Sequence, residues 1–295
     1  MNKYTLLLLS FFLFTSSLCA KPLLVTVSIP PQAYLVKAIG GDSVKVNTLV
    51  GVGFSPHDFE PRPRQTALVA RSKAYFTIGM PFEKRLVNKL QTANEKMKVV
   101  DMAKDVPRRR MVAACNHKHH HSGGCGIDHG VGAEDPHLWL SARNMMRMAP
   151  VVRDLLKELD PQGSNQYSKN CSEAIKTLLN VDEELKKTLA PYKGQHFYVF
   201  HPAFGYFADN YGLTQVPIEV EGKEPSARQL AQLIRRARRE NVKVIFVQRQ
   251  FARRAANKLA LAIGGTVVPL DPLAEDYVSN LREIAKSVKK VLENK

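Results

Sequence analysis

Nine histidines punctuate this chain, and their neighbours suggest what they could do. Three stand in stiff, proline-flanked phrases. His57 lies in Ser55-Pro56-His57-Asp58-Phe59-Glu60-Pro61, His137 in Asp135-Pro136-His137-Leu138-Trp139-Leu140, and His201 in His201-Pro202-Ala203-Phe204-Gly205-Tyr206. A fourth phrase, Leu270-Asp271-Pro272-Leu273, carries a carboxylate in the same style. Three neutral imidazoles and one carboxylate form a donor set suited to tetrahedral Zn²⁺. A single loop histidine is ordinarily a surface residue, and Phe59, Trp139 and Phe204 beside these phrases read first as core. On spacing alone, metal ligation and plain surface histidines both stand. Five further histidines, His117, His119, His120, His121 and His129, fall in one Gly-rich window, Cys115 to Gly132, whose composition forbids a packed core. A mobile imidazole cluster of this kind binds metal weakly or is a solvated insertion. His196, at the start of a strand, reads as structural.

The elements that must position these groups alternate β and α. Leu23–Ser28, Val44–Val50, Ala74–Ile78 and Met97–Val100 read as strands, with helices over Pro31–Ile39, Arg62–Arg71 and Phe82–Thr92. A helix from about Ser141 to Leu159 follows, with Pro150 as an expected kink. Tyr167, Cys171, Ala174, Ile175, Leu178, Leu185 and Leu189 recur at spacings of three and four, one apolar stripe on a long helix over 164–190. The alternation then restarts, with strands at Gln195–Phe200, Gln215–Val220, Val242–Val247 and Thr266–Leu270 and helices at Ser226–Arg239, Ala252–Ile263 and Tyr277–Glu293. Two four-stranded, mainly parallel α/β lobes flanking one long helix imply a cleft, and open α/β sheets bind ligands at the carboxyl ends of their strands. His57, His201 and Asp271 each follow a strand. The expected division is an N-terminal lobe over 21–160 (with the His-rich loop 115–132), a linking helix over 161–191 and a C-terminal lobe over 192–295.

The 295 residues, 44% hydrophobic and 24% charged, describe an ordinary globular chain of about two domains. Lys3, the apolar run Leu6 to Phe14 and the small residues ending at Ala20 read as a cleavable secretory signal peptide over 1–20. The run is too short to span roughly 30 Å of hydrocarbon comfortably. Export counts against nucleic acid as the partner of the +16 net charge, despite its sign. In an oxidising compartment Cys115 and Cys125 could form a disulfide or add thiolates to the loop, and Cys171 reads as a small buried hydrophobe. From Glu221 to Lys295 there are 16 basic and 8 acidic residues. Arg235, Arg236, Arg238 and Arg239 crowd one helix, and Arg249, Arg253 and Arg254 follow. The plain reading is a solvated face. The functional one is a docking surface for an acidic protein patch or anionic lipid.

Taken together, the ordered phrases resemble the cluster A-I substrate-binding proteins of metal-uptake ABC transporters, specifically the zinc (ZnuA-like) type. The resemblance runs through Val27 to Pro31, Pro56 to Pro61, Gly79 before Met80, Asp135 to Leu140, Phe200 to Tyr206, Glu224-Pro225-Ser226 and Asp271-Pro272-Leu273. It implies pseudo-symmetric α/β lobes joined by one rigid long helix, with His57, His137, His201 and Asp271 on the metal ligands. In zinc-type relatives water or another acidic side chain can fill the fourth place, and Glu60 is the reserve ligand. Manganese-type relatives tend to carry a carboxylate where this chain has His201, so His201 favours zinc. The implied protein is periplasmic and no enzyme. It captures Zn²⁺ and delivers it to a membrane permease with a separate ATPase subunit, touching the membrane only peripherally. Manganese or iron(II) delivery is the nearest alternative, and an adhesin or surface zinc scavenger a more distant one. A zinc hydrolase is disfavoured because no His-Glu-x-x-His phrase occurs and four protein ligands would leave no open position for catalytic water.

Overall fold

A computed structural model describes residues 21–111, 133–219, 225–250 and 254–293. The expected signal peptide, the histidine-rich window with its five histidines, Cys115 and Cys125, Glu224 and Arg253 lie outside the described residues. The first half supplies β1 (Leu23–Val27), α1 (Pro30–Gly40), β2 (Val44–Thr48), α2 (Pro63–Ala70), β3 (Ala74–Thr77), α3 (Pro81–Ala93) and β4 (Lys98–Asp101). After a short 3₁₀ turn at Leu138–Leu140 come α4 (Ala142–Leu159) and α5 (Ser164–Leu189). The second half is β5 (His196–Val199), α6 (Gly205–Tyr211), β6 (Thr214–Pro217), α7 (Ala227–Arg239), β7 (Val244–Gln248), α8 (Arg254–Ala262), β8 (Thr266–Leu270) and α9 (Tyr277–Glu293).

Both halves fold the same way. The sheet orders are β2-β1-β3-β4 and β6-β5-β7-β8, and every pairing is parallel. Helix starts follow local chemistry. Proline opens α1, α2 and α3, where its missing N–H costs nothing. Ser141 caps α4 by accepting from Asn144 N–H, and Ser226 with Gln229 forms a capping box on α7. At the head of α3 the buried Glu83 carboxylate accepts from the N–H groups of Ile78, Gly79 and Met80 and from the Ser28 hydroxyl, tying β1 to β3. Burial pushes its pKa up to about 7, against the lowering effect of those donors. α4 runs through Pro150 over the expected length. The sequence pattern placed no helix at α6, a short segment closed by left-handed Gly212 (φ 69°).

Strand alternation sorts the second sheet into two faces. Phe197, Val199 and Phe246 point into the main core, which also holds the apolar stripe of α5. Tyr198, Phe200, Ile245 and Val247 point to the opposite side, under α7 and α8, and form a separate smaller core. Cys171 is buried within α5. Specific bonds join the halves. Trp139 Nε1 donates to Pro272 O at 2.7 Å, Tyr277 Oη donates to Trp139 O at 2.6 Å, and Asp182 of α5 receives both Arg143 and Tyr211. No described helix is long and apolar enough to cross a membrane.

Candidate metal centre

The loops that follow β2 and β5, and the segment before the 3₁₀ turn, bring His57, His201 and His137 to one point. Their Nε2 atoms form an equilateral triangle, each pair 3.1 Å apart. His137 and His201 are buried and His57 is partly so. Neighbouring side chains hold the backbone of each histidine. Gln248, the last residue of β7, clamps the His201 main chain from both sides, accepting from its N–H at 3.1 Å and donating to its carbonyl at 2.6 Å. The His57 N–H donates to Ser55 Oγ at 3.2 Å. Asp135 Oδ1 accepts from the backbone N–H of His137 at 3.0 Å.

Two buried carboxylates fix the ring orientations. His137 Nδ1 donates to Asp135 Oδ1 at 2.8 Å, and His201 Nδ1 donates to Glu219 Oε1 at 2.7 Å. With its proton committed to a carboxylate, a neutral imidazole presents the Nε2 lone pair to the centre. Burial lowers the His137 pKa, and the neighbouring Asp135 only partly offsets this. Asp135 itself would be raised by burial, but hydrogen bonds from His137 and Arg109 outweigh that and hold its carboxyl below the usual range. Arg109 Nη1 reaches Asp135 Oδ2 at 2.6 Å and Arg109 Nε reaches Asp209 Oδ2 at 2.8 Å, so a cation from the first half braces the site against α6.

The triangle has a definite size. Corners of a 3.1 Å triangle lie about 1.8 Å from its centre, so an ion bonded at about 2.0–2.1 Å to all three stands about 1 Å out of plane. The nitrogen–ion–nitrogen angle is then about 100°, near the tetrahedral value, with one position left over. One proton on His57 can serve one neighbouring lone pair, whereas a divalent ion serves all three nitrogens at once.

Asp271, expected as the fourth ligand, is not in the group of donors within 4.8 Å of one another. Its Oδ1 accepts from the Leu273 N–H at 2.9 Å and from Gln250 Nε2 at 3.3 Å, closing the turn after β8. Glu60 is exposed and lines a separate groove with Phe59, Phe82 and Arg85. The pocket over the triad is walled by Pro56, Trp139, Ala203, Pro272 and Leu273, with Gln250 as the one polar side chain besides the histidines among the described residues. Sequence reading passed over Glu219 and Gln248 and quoted Asp135 only as part of a phrase. The signal was present for Asp135, two residues before a histidine, but Glu219 and Gln248 lie 18 and 47 residues from the group they hold.

Residues 25–291 match the family described as zinc-uptake complex component A, periplasmic. The crystal structure of ZnuA superposes with a TM-score of 0.83 at 38% identity, covering 92% of this chain and 100% of that one. A zinc-bound deletion mutant of ZnuA gives 0.81 at 39% identity over 92% and 98%. The zinc-binding protein AdcA of Streptococcus pyogenes is 27% identical over 259 residues, 84% of this chain but only 50% of AdcA, so the chain spans about half the length of that relative. FpvC of Pseudomonas aeruginosa, solved with Mn²⁺, shares the fold at 21% identity and a TM-score of 0.76 over 93% of this chain and 99% of FpvC.

Proposed function

The chain belongs to the zinc-uptake complex component A family of ABC-transporter solute-binding proteins, and on that premise we propose that it is an exported Zn²⁺ carrier whose cargo is held by His57, His137 and His201. It releases the ion to a membrane permease driven by a separate ATPase subunit. Residues 1–20 are the leader that sends it to the periplasm. The histidines between 117 and 129 form a weaker, auxiliary binding class. The observation that carries the reading is the triangle of Nε2 atoms 3.1 Å apart, two of them oriented by buried carboxylates. Three nitrogen donors favour zinc over manganese, which prefers oxygen-rich sites. Solvent supplies the fourth donor in this reading, because Asp271 stands outside the close group formed by the three histidines.

A three-histidine set also occurs in catalytic zinc sites, so ligand count alone does not separate carrier from hydrolase. Membership of a solute-binding family does, and the pocket wall agrees. Among the described residues that line the pocket, Gln250 is a neutral amide and the other non-histidine residues are apolar, so none of these offers a general base to a bound water.

The test is metal analysis and calorimetry on the mature chain. One tight zinc per chain is expected, abolished by His57→Ala, His137→Ala and His201→Ala combined and retained when 116–129 is deleted. A triple variant that still binds zinc as tightly as wild type would overturn the assignment.

A further inference from the structure

The positive charge of the second half has a definite place in the fold. α7 and α8 cover the outer face of the second sheet and bury Leu233, Ala237, Ala256 and Leu259 in the smaller core. Directly opposite that buried stripe on α7, at i, i+7 and i+11, stand Arg228, Arg235 and Arg239, all exposed. They span about 16 Å of helix axis. Their flanking neighbours are engaged. Arg236 Nε bonds Glu240 at 2.8 Å, and Arg238 Nε and Nη2 reach the Ala262 carbonyl at 3.1 and 2.5 Å, which fastens the end of α7 to the end of α8. The exposed stripe of α8 is Arg254, Lys258 and Leu261, at i, i+4 and i+7, and Leu261 is 80% exposed.

A solvated helix surface ordinarily mixes its charges, and α9 of this protein does so. Arg282 pairs with Glu184, Lys286 with Glu283 and Lys289 with Glu293. The α7–α8 face is segregated instead. Residues 225–250 and 254–268 hold nine Lys or Arg and one acidic residue, Glu240, which is already paired with Arg236. Among the described residues no ion pair reaches Arg228, Arg235, Arg239, Arg254 or Lys258.

We propose that the α7–α8 face docks the protein onto an anionic phospholipid surface. Cations spread over two adjacent helices match a field of phosphates, and the exposed Leu261 among them supplies the apolar group that inserts at the headgroup boundary. This docking face shares no residue with the metal site.

The test uses the mature chain with protein-free vesicles of phosphatidylcholine alone, or with about a third phosphatidylglycerol. Binding only to the anionic vesicles is expected, weakening steeply with salt. The triple variant Arg228→Glu, Arg235→Glu, Arg239→Glu should bind at least about tenfold more weakly. A charge-matched control on exposed α5 positions, Lys169→Glu, Lys176→Glu, Lys187→Glu, should bind like wild type. Leu261→Trp, at a site open enough to accept the larger ring, should shift its emission to the blue on anionic vesicles. Equal loss in the control would reduce the effect to net charge and overturn the proposal. So would an unshifted emission from the Leu261→Trp protein, or binding to native membrane vesicles but not to vesicles of their extracted lipid, which would assign the face to an acidic protein.

Discussion

Glu219→Gln isolates one charge in the site. The Glu219 carboxylate lies 2.7 Å from His201 Nδ1. The ring is about 2.2 Å across and a zinc–nitrogen bond about 2.0–2.1 Å, so the carboxylate sits roughly 7 Å from an ion at the triad. A unit negative charge and a divalent ion at that distance attract by about 1 kcal/mol at the dielectric of water and about 5 kcal/mol at an effective value near 20. The amide oxygen of glutamine can still accept from Nδ1–H, so the ring keeps its tautomer while the charge is lost. A rise in zinc Kd of about 10- to 100-fold is expected, equivalent to about 1.4–2.7 kcal/mol. Competition against a chromophoric chelator at neutral pH measures it. The metal-free variant should melt no lower than wild type, because a buried charge has been removed and the hydrogen bond kept. A zinc Kd within twofold of wild type would refute the electrostatic role of Glu219. A lowered melting temperature with unchanged affinity would make Glu219 a packing residue only.

Three other outcomes are expected. Asp271→Asn should alter zinc affinity by less than about threefold, because its side chain closes a turn, and a loss beyond about tenfold in the same titration would place it among the ligands. His201→Glu should shift the zinc-to-manganese affinity ratio toward manganese by about tenfold or more, since it exchanges a nitrogen donor for a hard oxygen; an unchanged ratio in competition titrations would put His201 outside the site. The third concerns Glu83, whose folded pKa of about 7 stands above its ordinary 4.5. Between those values the unfolded chain is ionised and the folded one holds the proton, so this group's contribution to stability is complete below about 4.5 and is lost as pH rises through about 7. Urea unfolding of wild type at several pH values should show that decline, and Glu83→Gln, less stable for want of a second acceptor oxygen, should lack it; parallel profiles for the two proteins would show that Glu83 does not titrate there.

Most of the frame was legible because its signals are local. The strands announced themselves as short β-rich runs, α5 as one apolar stripe between Pro161 and Pro191, and the three histidines as proline-stiffened phrases at the ends of predicted elements. What stayed hidden depends on contacts between distant residues. Nothing near Glu219 in the chain marks it as the partner of His201, and nothing near Gln248 marks it as the clamp on that residue's backbone. Asp271 shows the converse. A carboxylate beside a proline after a strand reads as a ligand, and the same local geometry lets its Oδ1 cap its own turn, a second use that the sequence does not separate from the first. α6 went unseen because its few residues are too short a run for periodicity to register.

The three histidines are separated by 80 and 64 residues along the chain. An ion held by all three would therefore act as a removable staple across most of the molecule. Bound only by the native fold, with free zinc at about a thousand times the dissociation constant, it lowers the unfolded population about a thousandfold. Proteases that cut the transiently opened chain would meet that much less substrate. The lifetime of the protein would then follow the metal supply: a loaded chain would persist, and chains left empty by scarcity would be the ones degraded.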